Sequence, residues 1–323
     1  MQIRFDALDD TDGTTWQGLF QRLWPAYRKW YLKEGRDMRP TYLECRAAIR
    51  LHMPELIPVW ERLVDLAGGG DLAACFLSLY APPAYLTGCS QAIWPGEEPL
   101  LVRNYDYDPE AFDAVALKTR WGNQQVLGTS DCLIGVVDGI NDAGLAISLT
   151  FGGRRVVGNG FGVPVLLRYI LENCETVPEA SKMLARLPVH MAYNVTVLDE
   201  QRRRVTAHMA PDRVTEITHA AVATNHQGRV EWAEHARVTA TVERERFLLG
   251  RLTLHEEPSP VFIGSFLRPP LYSLAFGRGF GTLYTAALWP RARVVEYRWP
   301  GAAWSLSLSD FVSDSRMISY PVS

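Results

Sequence analysis

From Thr14 to Glu34 the apolar residues Trp16, Leu19, Phe20, Leu23, Trp24, Tyr27, Trp30 and Tyr31 recur at intervals of three and four. That spacing predicts one face of an amphipathic helix, bent at Pro25. Thr41 and Glu44 have the spacing of a capping box, so Tyr42, Cys45, Ala48 and Ile49 open a second helix that breaks before Pro54. A third runs from Glu55 to Leu66 and stops at Gly68-Gly69-Gly70, and a fourth runs from Asp71 to about Tyr80 ahead of Pro82-Pro83. Residues 1 to about 84 thus read as a helical block whose aromatic stripe is core packing.

Beyond residue 88 the period changes from near four to two. The expected strands are Ser90 to Trp94, Leu100 to Tyr107, Ala114 to Thr119, Gln125 to Gly128, Leu133 to Asp138 and Leu145 to Phe151, with Asn141-Asp142-Ala143-Gly144 turning the last pair. Helices follow at Val163 to Asn173 and Pro178 to Leu187, then strands at Tyr193 to Leu198, Val205 to Met209 and Ala220 to Thr224. A helix from Ala236 to Leu252 precedes the closing strands Gly281 to Leu288, Val294 to Trp299 and Trp304 to Leu308. Strands, helices and strands in this order predict an α+β fold, two antiparallel sheets face to face with helices outside.

Composition changes this picture little. The 323 residues are 47% hydrophobic and 21% charged, an ordinary globular balance. A net charge of -3 and a pI near 6.2 give no footprint for nucleic acid or an anionic membrane. With no apolar leader at the start and no long apolar run, the expectation is a soluble, cytoplasmic protein. Five cysteines without CxxC spacing argue against a disulfide framework and a zinc knuckle. His190, His208, His219, His226, His235 and His255 have no metal-ligand spacing, so neither metal nor cofactor is expected. Gly277-Arg278-Gly279-Phe280-Gly281 reads as a turn rather than a phosphate loop, because no helix follows it.

The chemistry concentrates on Gly88-Cys89. A hairpin centred between Gly96 and Glu97 brings Cys89 opposite Asn104, and a shift of one residue brings it opposite Arg103 or Tyr105. Arg103 and Asp106 differ in parity, so an irregularity is expected where both approach one site. A thiol with an ordinary pKa of about 8.5 needs a cation or a base to act as a nucleophile. Glycine before it tolerates a distorted backbone, and a strained Gly-Cys bond beside a thiol suits an N-to-S acyl shift. Cleavage there would free an α-amine with a pKa of about 7.7 to 8.0, a base for its own thiol.

The Gly88-Cys89-Ser90 start, Arg103-Asn104-Tyr105-Asp106, the block from Asp138 to Leu145, Thr224-Asn225-His226 and the block from Phe280 to Thr285 together resemble the acyl-CoA:6-aminopenicillanic acid acyltransferase family. That family is related to choloylglycine hydrolase and penicillin V acylase among the N-terminal nucleophile hydrolases. The resemblance implies a four-layer αββα sandwich with an N-terminal helical segment, and cleavage between Gly88 and Cys89 into a helical 1–88 pro-segment or alpha chain and an 89–323 N-terminal-nucleophile beta chain. It also implies amide or acyl-thioester chemistry on a small acyl amide or acyl-CoA. Cys89 matches the nucleophile, Arg103 and Asp106 the residues that position thiol and amine, and Asn225 the oxyanion donor. Arg244 matches a late arginine, with Arg246 second, and Thr150 stands where bile-acid-cleaving relatives carry asparagine. The pocket lining is expected near Phe151, Tyr193 and the segment from Phe262 to Phe280. Two other readings remain open: an uncut scaffold that binds without catalysis, and a Cys-His hydrolase using His226.

Overall fold

The computed structural model describes residues 1–11, 13–85, 88–254 and 257–321, so His255 lies outside the described residues. The chain opens with strand β1 (Gln2–Asp10), then helices α1 (Thr14–Tyr31), α2 (Tyr42–His52), α3 (Ile57–Leu66) and α4 (Asp71–Ser78). Helix α1 continues through Pro25, and α2 carries the capping box, with Thr41 and Glu44 each satisfying the other's backbone N–H.

Strands β2 (Gly88–Ile93), β3 (Leu101–Tyr107), β4 (Val115–Thr119), β5 (Val126–Asp131), β6 (Gly135–Asn141) and β7 (Leu145–Phe151) come next. Helices α5 (Val163–Asn173) and α6 (Val177–Arg186) precede β8 (Tyr193–Asp199), β9 (Arg204–Ala210), β10 (Arg213–Thr218) and the short β11 (Val222–Ala223). The chain closes with α7 (Ala233–Val238), α8 (Thr241–Leu252), α9 (Ser259–Ser265), β12 (Leu274–Ala275), β13 (Phe280–Trp289), β14 (Val294–Trp299), β15 (Ala302–Ser307) and β16 (Asp314–Ser319).

Among the described residues these strands form two sheets. The nine-stranded sheet has the order β10-β9-β8-β7-β6-β5-β4-β1-β16, and the seven-stranded sheet runs β11-β2-β3-β13-β14-β15 with β12 on β13. The sheets meet through β2 and β3 against β7, and β13 and β14 against β6. Helices α5 and α6 cover the larger sheet, and α8 lies on β2 and β11 of the smaller, giving the expected four layers. A second apolar cluster, including Val102, Leu248, Phe262 and Phe266, fills the space between the smaller sheet and the helices over it.

Three departures from the sequence reading affect the site. Residues 1 to 84 are not purely helical, because β1 pairs in parallel with β4 and antiparallel with β16. Its Phe5 and Ala7 are fully buried, but three alternating apolar positions are too few to announce a strand whose partners are more than a hundred residues away. The single helix expected from Ala236 to Leu252 is two, α7 and α8, parted at Ala240, which adopts φ +49°. That break lets α8 start at Thr241, whose hydroxyl then accepts the Asn225 backbone N–H at 2.6 Å. Strands β10 and β16 and helix α9 were not foreseen.

Candidate active site

Strands β2 and β3 pair in a regular antiparallel register with Gly88 opposite Asp106 and Cys89 opposite Tyr105. The hairpin is therefore centred on Glu97 and not between Gly96 and Glu97, which shifts the register by one residue, so that Cys89 faces Tyr105 instead of Asn104. Alternation then places Cys89, Arg103 and Tyr105 on the face toward the larger sheet, and Gly88 and Asp106 on the opposite face. Arg103 and Asp106 approach Cys89 from its two sides without any break in β2–β3 pairing. The expected irregularity lies instead on the far side of β3, where β13 shifts register between Thr282 and Tyr284. This bulge gives each face one residue: Thr282 donates to the Asp106 carboxylate at 2.7 Å, and Tyr284 reaches inward toward Arg103.

Gly88 is a strand residue outside the left-handed region, so conformational strain is not what demands glycine there. Space there is limited. A Cβ at Gly88 would lie 3.3 Å from the Asp106 Cβ and 3.4 Å from the Phe280 ring.

Cys89 is fully buried, and every polar group it carries is addressed by a different element. The thiol accepts from Arg103 Nη2 at 3.3 Å. Its backbone N–H donates to Asn225 Oδ1 at 3.2 Å, and its carbonyl accepts from Arg244 Nη1 at 2.6 Å. Arg244 is 3% exposed and also donates to Ser90 Oγ at 2.7 Å, Asn225 Oδ1 at 2.6 Å and the Thr239 carbonyl at 2.7 Å. It stands 3.8 Å from the Asp106 carboxylate. Arg246, two residues on, is exposed.

Electrostatics differ on the two sides of the thiol. Burial pushes the Cys89 thiol above its ordinary value, Arg103 opposes that rise, and Asp106 adds to it. Burial likewise pushes Asp106 up to about 6, against the pull of Arg244, the Thr282 hydrogen bond and Arg103. The site thus holds a protonated thiol beside a carboxyl group that titrates within the physiological range.

The remaining sequence-picked residues take supporting positions. Thr150 donates its one hydroxyl proton to the Thr224 carbonyl at 2.7 Å and accepts from Asn194 at 3.0 Å. With that proton committed, it braces the strand end before Asn225, and the oxyanion role considered for it has no donor left. Asn225 Nδ2 donates to the Phe151 carbonyl at 3.1 Å. Gly153, at φ +68°, permits this approach, since a Cβ there would sit 2.1 Å from the Asn225 carbonyl. Both ring nitrogens of His226 are engaged, Nδ1 with Thr241 at 3.0 Å and Nε2 with Glu245 at 3.1 Å. A Cys-His pair would need one of them free.

A cavity of about 180 Å³ reaches Gly88, Asp106 and Arg244 and is walled by Leu271, Tyr272 and Phe280. Its lining agrees with the later part of the expected segment, whereas Phe262 and Phe266 are core residues and Phe151 and Tyr193 are fully buried. A second cavity, of about 150 Å³, lies between α1 and the end of β3 and is lined by Tyr27, Trp30, Tyr107 and Phe112. Tyr107 and Phe112 also pack against Tyr105, the residue opposite Cys89, one ring tilted and the other edge-on. Sequence reading missed Ser90, Thr282 and Tyr284 as site residues, although each lies inside a block it singled out.

The family model for acyl-coenzyme A:6-aminopenicillanic acid acyl-transferase matches residues 94–304, a span that includes Arg103, Asp106, Asn225 and Arg244. The chain belongs to this family. No curated protein matches it. Among solved structures, penicillin V acylase from Agrobacterium tumefaciens is 14% identical, with a TM-score of 0.49 over 68% of this chain and 86% of that one. A mutant conjugated bile acid hydrolase from Clostridium perfringens is 13% identical, with a TM-score of 0.47 over 72% and 97% of the two chains. The Caenorhabditis elegans ortholog of N-acylethanolamine-hydrolyzing acid amidase is 16% identical, with a TM-score of 0.46 over 64% and 93%. Among the described residues no helix is long and apolar enough to cross a membrane.

Proposed function

We propose that this member of the acyl-transferase family is a self-processing N-terminal cysteine enzyme that acts on linear amide C–N bonds or acyl thioesters. The observation that carries the reading is the convergence of Arg103, Asn225 and Arg244 on the thiol, the nitrogen and the carbonyl of one residue, Cys89. A structural cysteine in a strand needs no such set of charged and amide partners, each of which is buried at a desolvation cost.

In self-processing, Cys89 Sγ attacks the Gly88 carbonyl carbon, the C–N bond breaks, and the Gly88 acyl group passes to sulfur as a thioester while the nitrogen becomes an amine. Water then hydrolyses the thioester, leaving a carboxylate on Gly88 and an α-amine on Cys89. In turnover that amine takes the thiol proton, and the thiolate attacks the substrate carbonyl. The tetrahedral oxyanion is held by Asn225 and a backbone N–H, and its collapse expels the leaving group with the proton from the ammonium. Water or an acceptor amine then takes the acyl group from sulfur. Asp106 stabilises the ammonium form of the new amine, and Arg103 stabilises the thiolate.

Residues 1–88 would remain bound as a separate fragment after cleavage, because β1 is an interior strand of the larger sheet. The cavity beside Tyr105, with α1 as one wall, has an aromatic side suited to an apolar acyl chain and a polar end at Asp113 and Asp131, and its completion would depend on that fragment. The test is intact-mass analysis of the purified protein and of Cys89→Ala, with a panel of N-acyl amides, lactams and acyl-CoA thioesters. Wild type yields two fragments and acyl release; Cys89→Ala yields one chain and none. A Cys89→Ala chain that still splits between residues 88 and 89 would overturn the proposal.

A further inference from the structure

Arg103 reaches the thiol through one nitrogen only, and its other nitrogens are held by the opposite sheet. Nε donates to the Leu149 carbonyl at 2.9 Å, and Nη1 forms an ion pair with Asp138. Both members of the pair are fully buried. Asp138 is itself fixed from two directions: Thr129 of β5 donates to Oδ1 at 2.6 Å, and Tyr284 of β13 donates to Oδ2 at 2.6 Å. The Thr129 hydroxyl meets the Tyr297 hydroxyl at 2.9 Å, so the group is tied to β14 as well. The Arg103 guanidinium also lies over the Tyr105 ring, 4.6 Å from its centre. A buried ion pair is weak evidence for stability, since apolar residues would fill the same space at no greater cost. What this pair does is fix a direction.

We propose that Asp138 is a positioning residue for the nucleophile, acting through Arg103: carried by β6 of one sheet, it aims a guanidinium of the other sheet at the Cys89 thiol. This rests on the reading of Cys89 as the nucleophile. Asp138 touches neither the thiol nor the scissile bond; its effect is to hold Nη1 so that Nη2 is left pointing at sulfur. A fork with five fixed N–H groups transmits orientation in this way, which a lysine ammonium would not. The carboxylate's second oxygen, bound to Thr129, keeps Asp138 from rotating toward solvent-side partners, and Tyr284 supports both ends of the pair, lying 3.3 Å from Arg103 Nη1.

Positioning and simple charge balance predict opposite results. If Asp138 only neutralised Arg103, its removal would leave the cation stronger, and the Cys89 thiol would ionise at lower pH. If Asp138 aims Arg103, its removal lets the guanidinium leave the thiol, and ionisation moves to higher pH. The readout is the ultraviolet thiolate absorbance against pH, taken as the difference between each protein and its Cys89→Ala counterpart so that the other four cysteines cancel, and compared between proteins that intact mass shows to be in the same state, cut or uncut. It needs neither chain cleavage nor a substrate, so a failed self-processing or turnover assay leaves it intact. Asp138→Asn is expected to raise the Cys89 midpoint by about one pH unit, part of the one to three that an adjacent opposite charge supplies. In an Arg103→Ala background the same substitution is expected to add nothing, because its route to the thiol is gone. Asp138→Glu is expected to recover part of the shift. Should Asp138→Asn fail to fold, Tyr284→Phe, which keeps the carboxylate and removes one of its donors, is expected to move the midpoint in the same direction by less. A downward or absent shift, or an equal shift with and without Arg103, would overturn the proposal.

Discussion

Asp106→Asn tests the electrostatic account of the site by separating stability from function. To keep every chain in one piece, the comparison is made in a Cys89→Ala background. Asp106 is 4% exposed, and burial lifts its carboxyl from 3.8 to about 6 in the folded protein. Because the folded value is raised, any stability tied to the protonated form is fully present below pH 3.8 and is lost as pH climbs through about 6. A rise of this size corresponds to roughly 3 kcal/mol between the two protonation states. Asparagine has no charge to desolvate, so its stability relative to aspartate should grow between pH 4 and pH 7 and then level off, with roughly 3 kcal/mol as its upper bound. Urea unfolding followed by tryptophan fluorescence at pH 4, 5, 6, 7 and 8 reads this directly. With Cys89 restored, the same Asp106→Asn change should lower turnover by at least about 100-fold, the low end for a positioned acid-base group. A stability difference that is flat with pH, or that favours aspartate at pH 8, would show that Arg244 outweighs burial and would refute the reasoning.

Arg244→Ala is expected to stop self-processing and to cost about 3–5 kcal/mol in urea unfolding, since it strips four acceptors of their donor and takes the nearby cation from the buried Asp106 carboxylate, whereas exposed Arg246→Ala should change stability by less than about 0.5 kcal/mol. Thr41→Ala removes the acceptor of the Glu44 backbone N–H at the start of α2 and should lower stability by about 1 kcal/mol without affecting the yield of cleaved chain on a denaturing gel.

The residues that the structure gathers around Cys89 were legible because each stands out in sequence: a Gly-Cys pair before a strand, an arginine and an acid among the apolar and aromatic residues of the next strand, an asparagine at a strand end. Long periodic elements were equally plain, and Val163–Asn173 and Val294–Trp299 fall where the pattern puts them. The hairpin register was off by one because seven residues separate Ile93 from Leu101, and the Trp94 backbone N–H closes this loop on the Leu100 carbonyl. A slip of one exchanges the two faces of a strand, so the sequence reading could not say which side of Cys89 each charge occupies. The role of Asp138 was hidden for a different reason. Its block was visible, but its partner Arg103 lies in the other sheet, and no local period encodes how one sheet sits on another. Edge strands β10 and β16 offered little signal, since most of their side chains face solvent.

The pairing of β1 with β16 joins residue 2 to residue 319, and the groups that surround Cys89 are spread over more than half of the chain, at 103, 106, 225, 244 and 282. On the ribosome, Cys89 therefore emerges long before the asparagine and the second arginine that address its backbone exist. Cys89 is built early and remains without its complete setting until most of the chain has been made and folded. Under the proposed self-processing, distance along the chain would act as a timer: the bond at residue 88 would become cleavable only once Asn225 and Arg244 have joined Cys89, so the cut would fall on a folded protein and not on a growing one.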